Sequence, residues 1–341
     1  MMLPSDCHRR MVLEIRDISC ASVDRAARDR TFTDAVVGSK AVDGNVSNGS
    51  DVGSSGNSAA KWKPAKGLNM GEMGESFEGI RTIVCDLDGV LYVDSAGVAG
   101  AGNALRTLVA DGYALLFVTN NATKTPSMVA EHIADRTGFQ ASVDHIVTSS
   151  QATAHYLKNQ GLDNCFVVGE VGLRQTLSDA GLTLVDDWTA AETVVTGLDR
   201  DLTYRRIADA TLAVRGGATF VATNLDPTYP TPAGLQPGGG AVAAMVEAAA
   251  EVAPVTCGKP YGPMRELIAQ RRLPGGALVV GDRMDTDIAM AVAEGWFGAL
   301  VLSGATGADS APAETAALMV LDSIAALPDR LRKRGVLSSA I

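Results

Sequence analysis

From Arg81 onward, apolar runs of strand length alternate with stretches of helical character, and that alternation admits few architectures. The runs are Thr82–Cys85, Ala114–Val118, His145–Thr148, Ala277–Val280 and Ala299–Leu302; Asn103–Asp111 and Ser127–Arg136 are the clearest helical stretches between them. Strands alternating with helices imply an α/β fold with a Rossmann-like, doubly wound parallel sheet covered by helices on both faces. In such sheets the ligand crevice lies at the carboxyl ends of the strands, so residues that carry chemistry are expected directly after the apolar runs.

A middle block, residues 161–254, has strands of its own at Cys165–Val168, Thr193–Thr196 and Thr219–Ala222. It reads as a second αβ domain inserted into a core formed by residues 77–160 and 255–341, with Asp226–Gly240 as a Pro- and Gly-rich loop near its end. Residues 1–76 are a different kind of sequence. Gly44 to Ala60 is mostly Gly, Ser, Asn, Asp and Val, too polar to build a core, and a disordered N-terminal extension is expected.

Charge and composition exclude several classes. Residues 1–78 hold 10 basic and 11 acidic side chains, which leaves 19 and 28 for the rest of a chain whose net charge is −10. A strongly acidic folded part is a poor partner for nucleic acid, whose binding depends on Lys and Arg neutralising phosphates. No apolar run approaches the roughly 20 residues that cross a bilayer, so no membrane role is expected. The five cysteines are scattered with no C-x-x-C pair, and the N-terminus has no apolar signal core, which points to a reducing cytoplasm and gives no zinc site. A homodimer is compatible with this composition.

Four strand ends carry the chemistry. The first reads Asp86-Leu87-Asp88-Gly89-Val90. Two carboxylates this close repel unless one binds a divalent metal or one holds a proton. By itself D-x-D-G also fits an Asp-rich turn closing a strand. The second reads Thr119-Asn120-Asn121, a hydroxyl and a backbone N–H suited to a phosphate oxygen. Downstream, Thr125 as a helix N-cap with Pro126 at the first helical position accounts for the other polar residues. The third is Lys259, between Gly258 and Pro260, a candidate cationic trap for an anion in an acidic protein. The fourth is Gly281-Asp282 through Asp287. Asp282 suits a hard cation such as Mg²⁺, Asp287 is expected to stand behind it, and Asp285 is expected to cap the helix that follows. In the inserted block, Tyr229 and Arg200 are candidate substrate contacts.

Taken together in this order, Asp86-Leu87-Asp88-Gly89-Val90, Thr119-Asn120, Lys259 and Gly281-Asp282 through Asp287 resemble the haloacid dehalogenase superfamily. The long insertion resembles its C2-capped branch. Val118-Thr119-Asn120-Asn121, Ala222-Thr223-Asn224-Leu225-Asp226-Pro227 and Gly258-Lys259-Pro260 are similar to the NagD and para-nitrophenyl phosphatase-like subgroup, over roughly residues 80–325. The resemblance implies a Mg²⁺-dependent phosphatase acting on small phosphorylated metabolites. In that reading Asp86 is the nucleophile and Asp88 the acid and base. Asp86, Asp282 and the backbone carbonyl of Asp88 hold the metal, and Thr119, Asn120 and Lys259 hold phosphate oxygens. Its rivals are a phosphotransferase or phosphomutase, in which a second alcohol resolves the aspartyl-phosphate, and a catalytically silent phosphometabolite-binding protein.

Overall fold

A computed structural model describes residues 79–231 and 233–333. The extension expected over residues 1–76 lies outside them. β1 (Ile80–Cys85) leads into a short hairpin of β2 (Tyr92–Val93) and β3 (Ala96–Gly97), followed by α1 (Ala101–Ala110), β4 (Ala114–Thr119), α2 (Pro126–Thr137), β5 (Ile146–Thr148) and α3 (Ser149–Gln160). The chain then builds β6 (Cys165–Val168), α4 (Val171–Asp179), β7 (Leu184–Val185), β8 (Thr193–Thr196), α5 (Tyr204–Arg215) and β9 (Thr219–Ala222). A hairpin of β10 (Thr228–Thr231) and β11 (Gly234–Pro237), α6 (Gly239–Ala250) and β12 (Val255–Thr256) complete this part. The return path runs through α7 (Gly262–Arg271), β13 (Gly276–Gly281), α8 (Ala289–Ala293), β14 (Phe297–Val301), β15 (Leu318–Leu321) and α9 (Leu327–Lys333).

Two parallel sheets result. The larger has the order β15-β14-β13-β1-β4-β5 and the smaller β12-β9-β8-β6-β7. Every pairing in both is parallel. This is the expected doubly wound core with an inserted αβ cap domain, whose sheet runs from Cys165 through Thr256. Alternation along the strands divides the core. Ile83, Cys85, Phe117 and Val280 pack on one face of the larger sheet, while Val84, Leu116, Val118 and Val279 pack on the other. All eight side chains are at most 4% exposed, and each Leu, Ile, Val or Phe buried this fully contributes about 1.5–3 kcal/mol.

The order of the larger sheet positions the site. After β1 the chain adds β4 and β5 on one side, and it later returns to add β13 on the other. The strand order reverses at β1, where an open α/β sheet forms its crevice. The segments leaving β1, β4 and β13 carry Asp86, Asn120 and Asp282. Local signals hold these exits. Thr125 Oγ1 accepts the Met128 N–H at 3.3 Å with Pro126 at the first position of α2. Thr148 and Gln151 form a reciprocal capping box at the start of α3. Among the described residues, no helix is long and apolar enough to cross a membrane.

Two local expectations differ from the structure. Asp226–Gly240 is not an irregular loop throughout, because Thr228–Thr231 pairs antiparallel with Gly234–Pro237. Gly239 and Gly240 then form the first turn of α6, where a Cβ on Gly240 would lie 2.3 Å from the Leu225 carbonyl oxygen. Asp285 does not cap a helix either. The chain winds as a wide π turn over Met284–Ile288, and the Asp285 carboxylate accepts from Arg283 Nε and Nη2 at 3.1 and 2.7 Å.

Candidate active site

Asp86 leaves β1 with its N–H donated to Val280 O at 2.8 Å, which ties it to β13. Its carboxylate is buried and meets Lys259 Nζ at 2.6 Å. The same ammonium lies 2.7 Å from Asp287 Oδ1 and donates to Val118 O at 3.4 Å. Asp287 is fully buried, and its second oxygen accepts from the Arg283 N–H and the Thr286 hydroxyl, both at 3.3 Å. Asp282 is wedged between two glycines. A Cβ on Gly89, whose φ is +80°, would come within 2.2 Å of Asp282 Oδ2, and one on Gly304 within 2.1 Å. Only residues without a Cβ let the two loops close on this carboxylate. Asp282 Oδ2 also accepts the Ala305 N–H at 2.6 Å, and the Thr306 hydroxyl donates to the Asp282 carbonyl at 2.6 Å.

Ligand oxygens of Asp86, Asp282 and Asp287 lie within 4.8 Å of one another. Three buried carboxylates share one ammonium, so the group is two positive charges short of neutrality when fully ionised. That deficit, with hard oxygen donors, fits a divalent cation. Both Asp287 oxygens are engaged, Oδ1 by Lys259 and Oδ2 by the Arg283 N–H and the Thr286 hydroxyl, whereas Lys259 meets Asp86 at Oδ1, so Asp86 and Asp282 are the pair that could hold it. The Asp88 carboxylate lies outside the group.

Electrostatics follow from this crowding. Burial, then repulsion from Asp287, pushes the Asp86 carboxyl well above the usual range despite Lys259. Burial and Asp287 push Asp282 up to about 6 against the pull of the Ala305 N–H. Burial alone would lower Lys259, but Asp287 and Asp86 outweigh it and hold the ammonium well above its ordinary value. Asp88 is exposed, yet the surrounding protein desolvates it enough to raise its pKa, with Lys259 and Lys124 pulling the other way. A carboxyl whose pKa is higher in the folded state stabilises the fold at low pH and loses that contribution as pH rises through the folded value. Metal-free protein should therefore melt at falling temperatures as pH rises between roughly 4 and 7, and a divalent cation added at neutral pH should reverse the loss. A melting temperature that climbs with pH across this window in chelator would contradict the reading.

Thr119 is buried, and its hydroxyl oxygen accepts the Asn121 N–H at 3.0 Å, shaping the turn after β4. The Asn120 side chain does not face an open phosphate site. Its Oδ1 accepts the Lys259 N–H at 2.7 Å, and its Nδ2 donates to Asp226 Oδ2 at 3.1 Å and Lys259 O at 3.3 Å. Arg200 and Tyr229 make no hydrogen bond to this knot. The Arg200 guanidinium pairs with both oxygens of Glu170 at 2.7 and 2.6 Å, beside a cleft of about 520 Å³ that Asp199 and Asp201 also line. The Tyr229 hydroxyl donates across its hairpin to Gln236 Oε1 at 2.9 Å.

Asn224 and Asp226 stand in the motif over residues 222–227 that carries part of the resemblance, but sequence reasoning assigns them no role; they directly follow β9, at a strand end of the cap sheet. Lys124 and Arg283, which act electrostatically on Asp88 and Asp226 respectively, carried no motif.

Comparison with known proteins decides the family. The sequence profile described as haloacid dehalogenase-like hydrolase matches residues 83–183, and a second, HAD-hydrolase-like, matches 256–327. The chain is 37% identical over 225 residues to the 5'-nucleotidase YutF of Bacillus subtilis, covering 65% of this chain and 86% of that protein. The chain belongs to the haloacid dehalogenase-like hydrolases. An acid sugar phosphatase of Staphylococcus aureus is 38% identical over 212 residues, covering 61% of this hydrolase and 81% of the relative. The solved structure of a glycerol phosphate phosphatase from Mycobacterium tuberculosis in complex with magnesium superposes with a TM-score of 0.66 at 34% identity, covering 73% and 76% of the two chains.

Proposed function

We propose that this hydrolase is a Mg²⁺-dependent phosphatase of small phosphate monoesters that works through an aspartyl-phosphate on Asp86. The observation that carries the reading is the buried Lys259 ammonium held between Asp86 and Asp287, beside Asp282, at the sheet's switch point. A carboxylate is a weak nucleophile toward a dianion. The ammonium 2.6 Å away aims Asp86 and opposes the burial and Asp287 repulsion that raise its pKa, and a bound cation would favour the ionised form further. An Asp86 carboxylate oxygen attacks phosphorus, and the bond from phosphorus to the leaving oxygen breaks. Asp88, whose raised pKa favours its protonated form, supplies the proton to that oxygen. Asp88 then takes a proton from the water that hydrolyses the aspartyl-phosphate. The Asn120 N–H, Thr119 and Lys259 offer donors to the phosphate oxygens. Mg²⁺, held by Asp86, Asp282 and the Asp88 backbone carbonyl, would neutralise charge on the phosphoryl group. The names of the relatives, a nucleotidase and two phosphatases, support this substrate class. The absence of a spanning helix among the described residues is compatible with a cytoplasmic enzyme.

The test is phosphate release from p-nitrophenyl phosphate and a panel of metabolite monoesters, with Mg²⁺ and with excess chelator. Turnover should vanish in chelator and return with Mg²⁺, and Asp282→Ala should raise the Mg²⁺ concentration needed for half-activity by tenfold or more, by analogy with the loss of other metal-site contacts at about 10–100-fold. Full activity in chelator, or no release from any monoester, would overturn the proposal.

A further inference from the structure

We propose that Asp226 is a positioning residue: a carboxylate supplied by the cap domain that, through the Asn120 amide, aims Lys259 at Asp86. The inference rests on the reading of Asp86 as nucleophile. Asn120 and Asp226 are 106 residues apart and belong to different sheets, yet Asn120 Nδ2 donates to Asp226 Oδ2 at 3.1 Å. The other end of that amide grips the Lys259 peptide from both sides, Oδ1 accepting its N–H at 2.7 Å and Nδ2 reaching its carbonyl at 3.3 Å. Lys259 in turn places its ammonium 2.6 Å from Asp86. A continuous chain of bonds therefore runs from the cap carboxylate to the nucleophile.

The surroundings hold this chain in one arrangement. Asn224 Nδ2 donates to the Asn120 carbonyl at 3.0 Å, and Asn224 Oδ1 accepts the Asp226 N–H at 3.1 Å, so the cap loop grips the core residue by backbone and side chain. Ser149 Oγ donates to the same Asn120 carbonyl at 2.7 Å. Gly258 is pinned between the two sides, since a Cβ there would lie 2.5 Å from Asn120 Oδ1 and 2.6 Å from the Thr223 carbonyl. A hydrogen bond to a carboxylate is stronger than one to a neutral acceptor. It also fixes which way the Asn120 amide points: Nδ2 must face Asp226, which leaves Oδ1 for the Lys259 N–H. Asp226 thus selects the amide orientation that Lys259 requires.

The experiment measures kcat and KM on p-nitrophenyl phosphate at saturating Mg²⁺ for Asp226→Ala, Asp226→Asn, Asn120→Ala and Asp226→Ala/Asn120→Ala, with melting temperature as the check on folding. Asp226→Ala should lower kcat by roughly tenfold or more with KM within about twofold, the signature of a misaimed reacting group. Asp226→Asn keeps an oxygen acceptor of the same shape and should recover most of the loss. The double variant should be no slower than Asn120→Ala, because both residues act along one path. Additive losses in the double variant, or an unchanged kcat in Asp226→Ala, would overturn the proposal. So would a loss that falls equally on KM, kcat and melting temperature and that Asp226→Asn does not recover. Asp86→Asn in the same series separates the layers. If it retains turnover, the nucleophile reading fails and this inference falls with it. If it is inactive while Asp226→Ala is fully active, only this inference fails.

Discussion

Asp86→Asn should lower kcat on any phosphate monoester by about 10⁴-fold or more while the protein stays folded. The amide has the shape of the carboxylate but no charge and no competent nucleophilic oxygen, so no aspartyl-phosphate can form. Stability should change little, because two effects oppose each other. The variant removes one of three crowded carboxylates whose mutual repulsion and burial already raise the pKa of Asp86, and it also deprives Lys259 of its 2.6 Å partner. Lys259 keeps Asp287 at 2.7 Å, so its charge is not left unpaired. Single-turnover measurements should show no protein-bound phosphate in the variant. A folded Asp86→Asn protein with substantial turnover would remove the basis of the mechanism.

Lys259→Met should be the more damaging change to the fold. The side chain is 4% exposed and compensates two buried carboxylates at once. Methionine fills similar volume without charge, so the loss measures the uncompensated anions rather than a cavity. Breaking a buried ion pair from one side costs about 3–5 kcal/mol, which in a folded part of this size corresponds to a melting temperature lower by roughly 10 °C. The kcat should fall by about 10²–10³-fold through loss of a preorganised cation. Acidification should recover part of the stability, since Asp86 and Asp287 can then take up protons. Lys259→Met/Asp287→Asn should recover stability at neutral pH without recovering activity. A Lys259→Met protein that is as stable as the parent at pH 7 would show that the carboxylates are relieved by some other group.

The architecture was legible because it rests on short-range rules. The cap strands Cys165–Val168, Thr193–Thr196 and Thr219–Ala222 fall where uninterrupted apolar runs put them, since a strand buried on both faces cannot interleave charged positions. Asp86, Asn120 and Asp282 could be picked out for a related reason. A doubly wound sheet gathers the carboxyl ends of its central strands, so polar residues directly after such strands converge without any knowledge of their partners. Thr125 and Pro126 announced the start of α2 through capping chemistry confined to a few residues. The hairpin Thr228–Thr231 with Gly234–Pro237 was not legible, because its strands are short, mostly exposed and interrupted by proline, and so lack the alternation that marks a strand.

What the sequence by itself determined is the family, the alternation of strands and helices with an inserted cap, and the core strand ends that carry Asp86, Asn120 and Asp282. What only the tertiary structure decided is which of those residues bond to which. Sequence suggested the Asn120 backbone N–H for a phosphate oxygen and said nothing of its side chain, to whose amide folding brings Asp226 and Lys259 from 106 and 139 positions away. Sequence placed Asp287 behind the metal pair without a partner, and only the fold gives it one, burying it fully against Lys259 and the Arg283 N–H. The physical reason is the range of the forces involved. Strand and helix preferences are summed over neighbours along the chain, whereas a hydrogen bond or ion pair goes to whichever group the packed sheets bring within about 3 Å, and that distance exists only once the chain has folded.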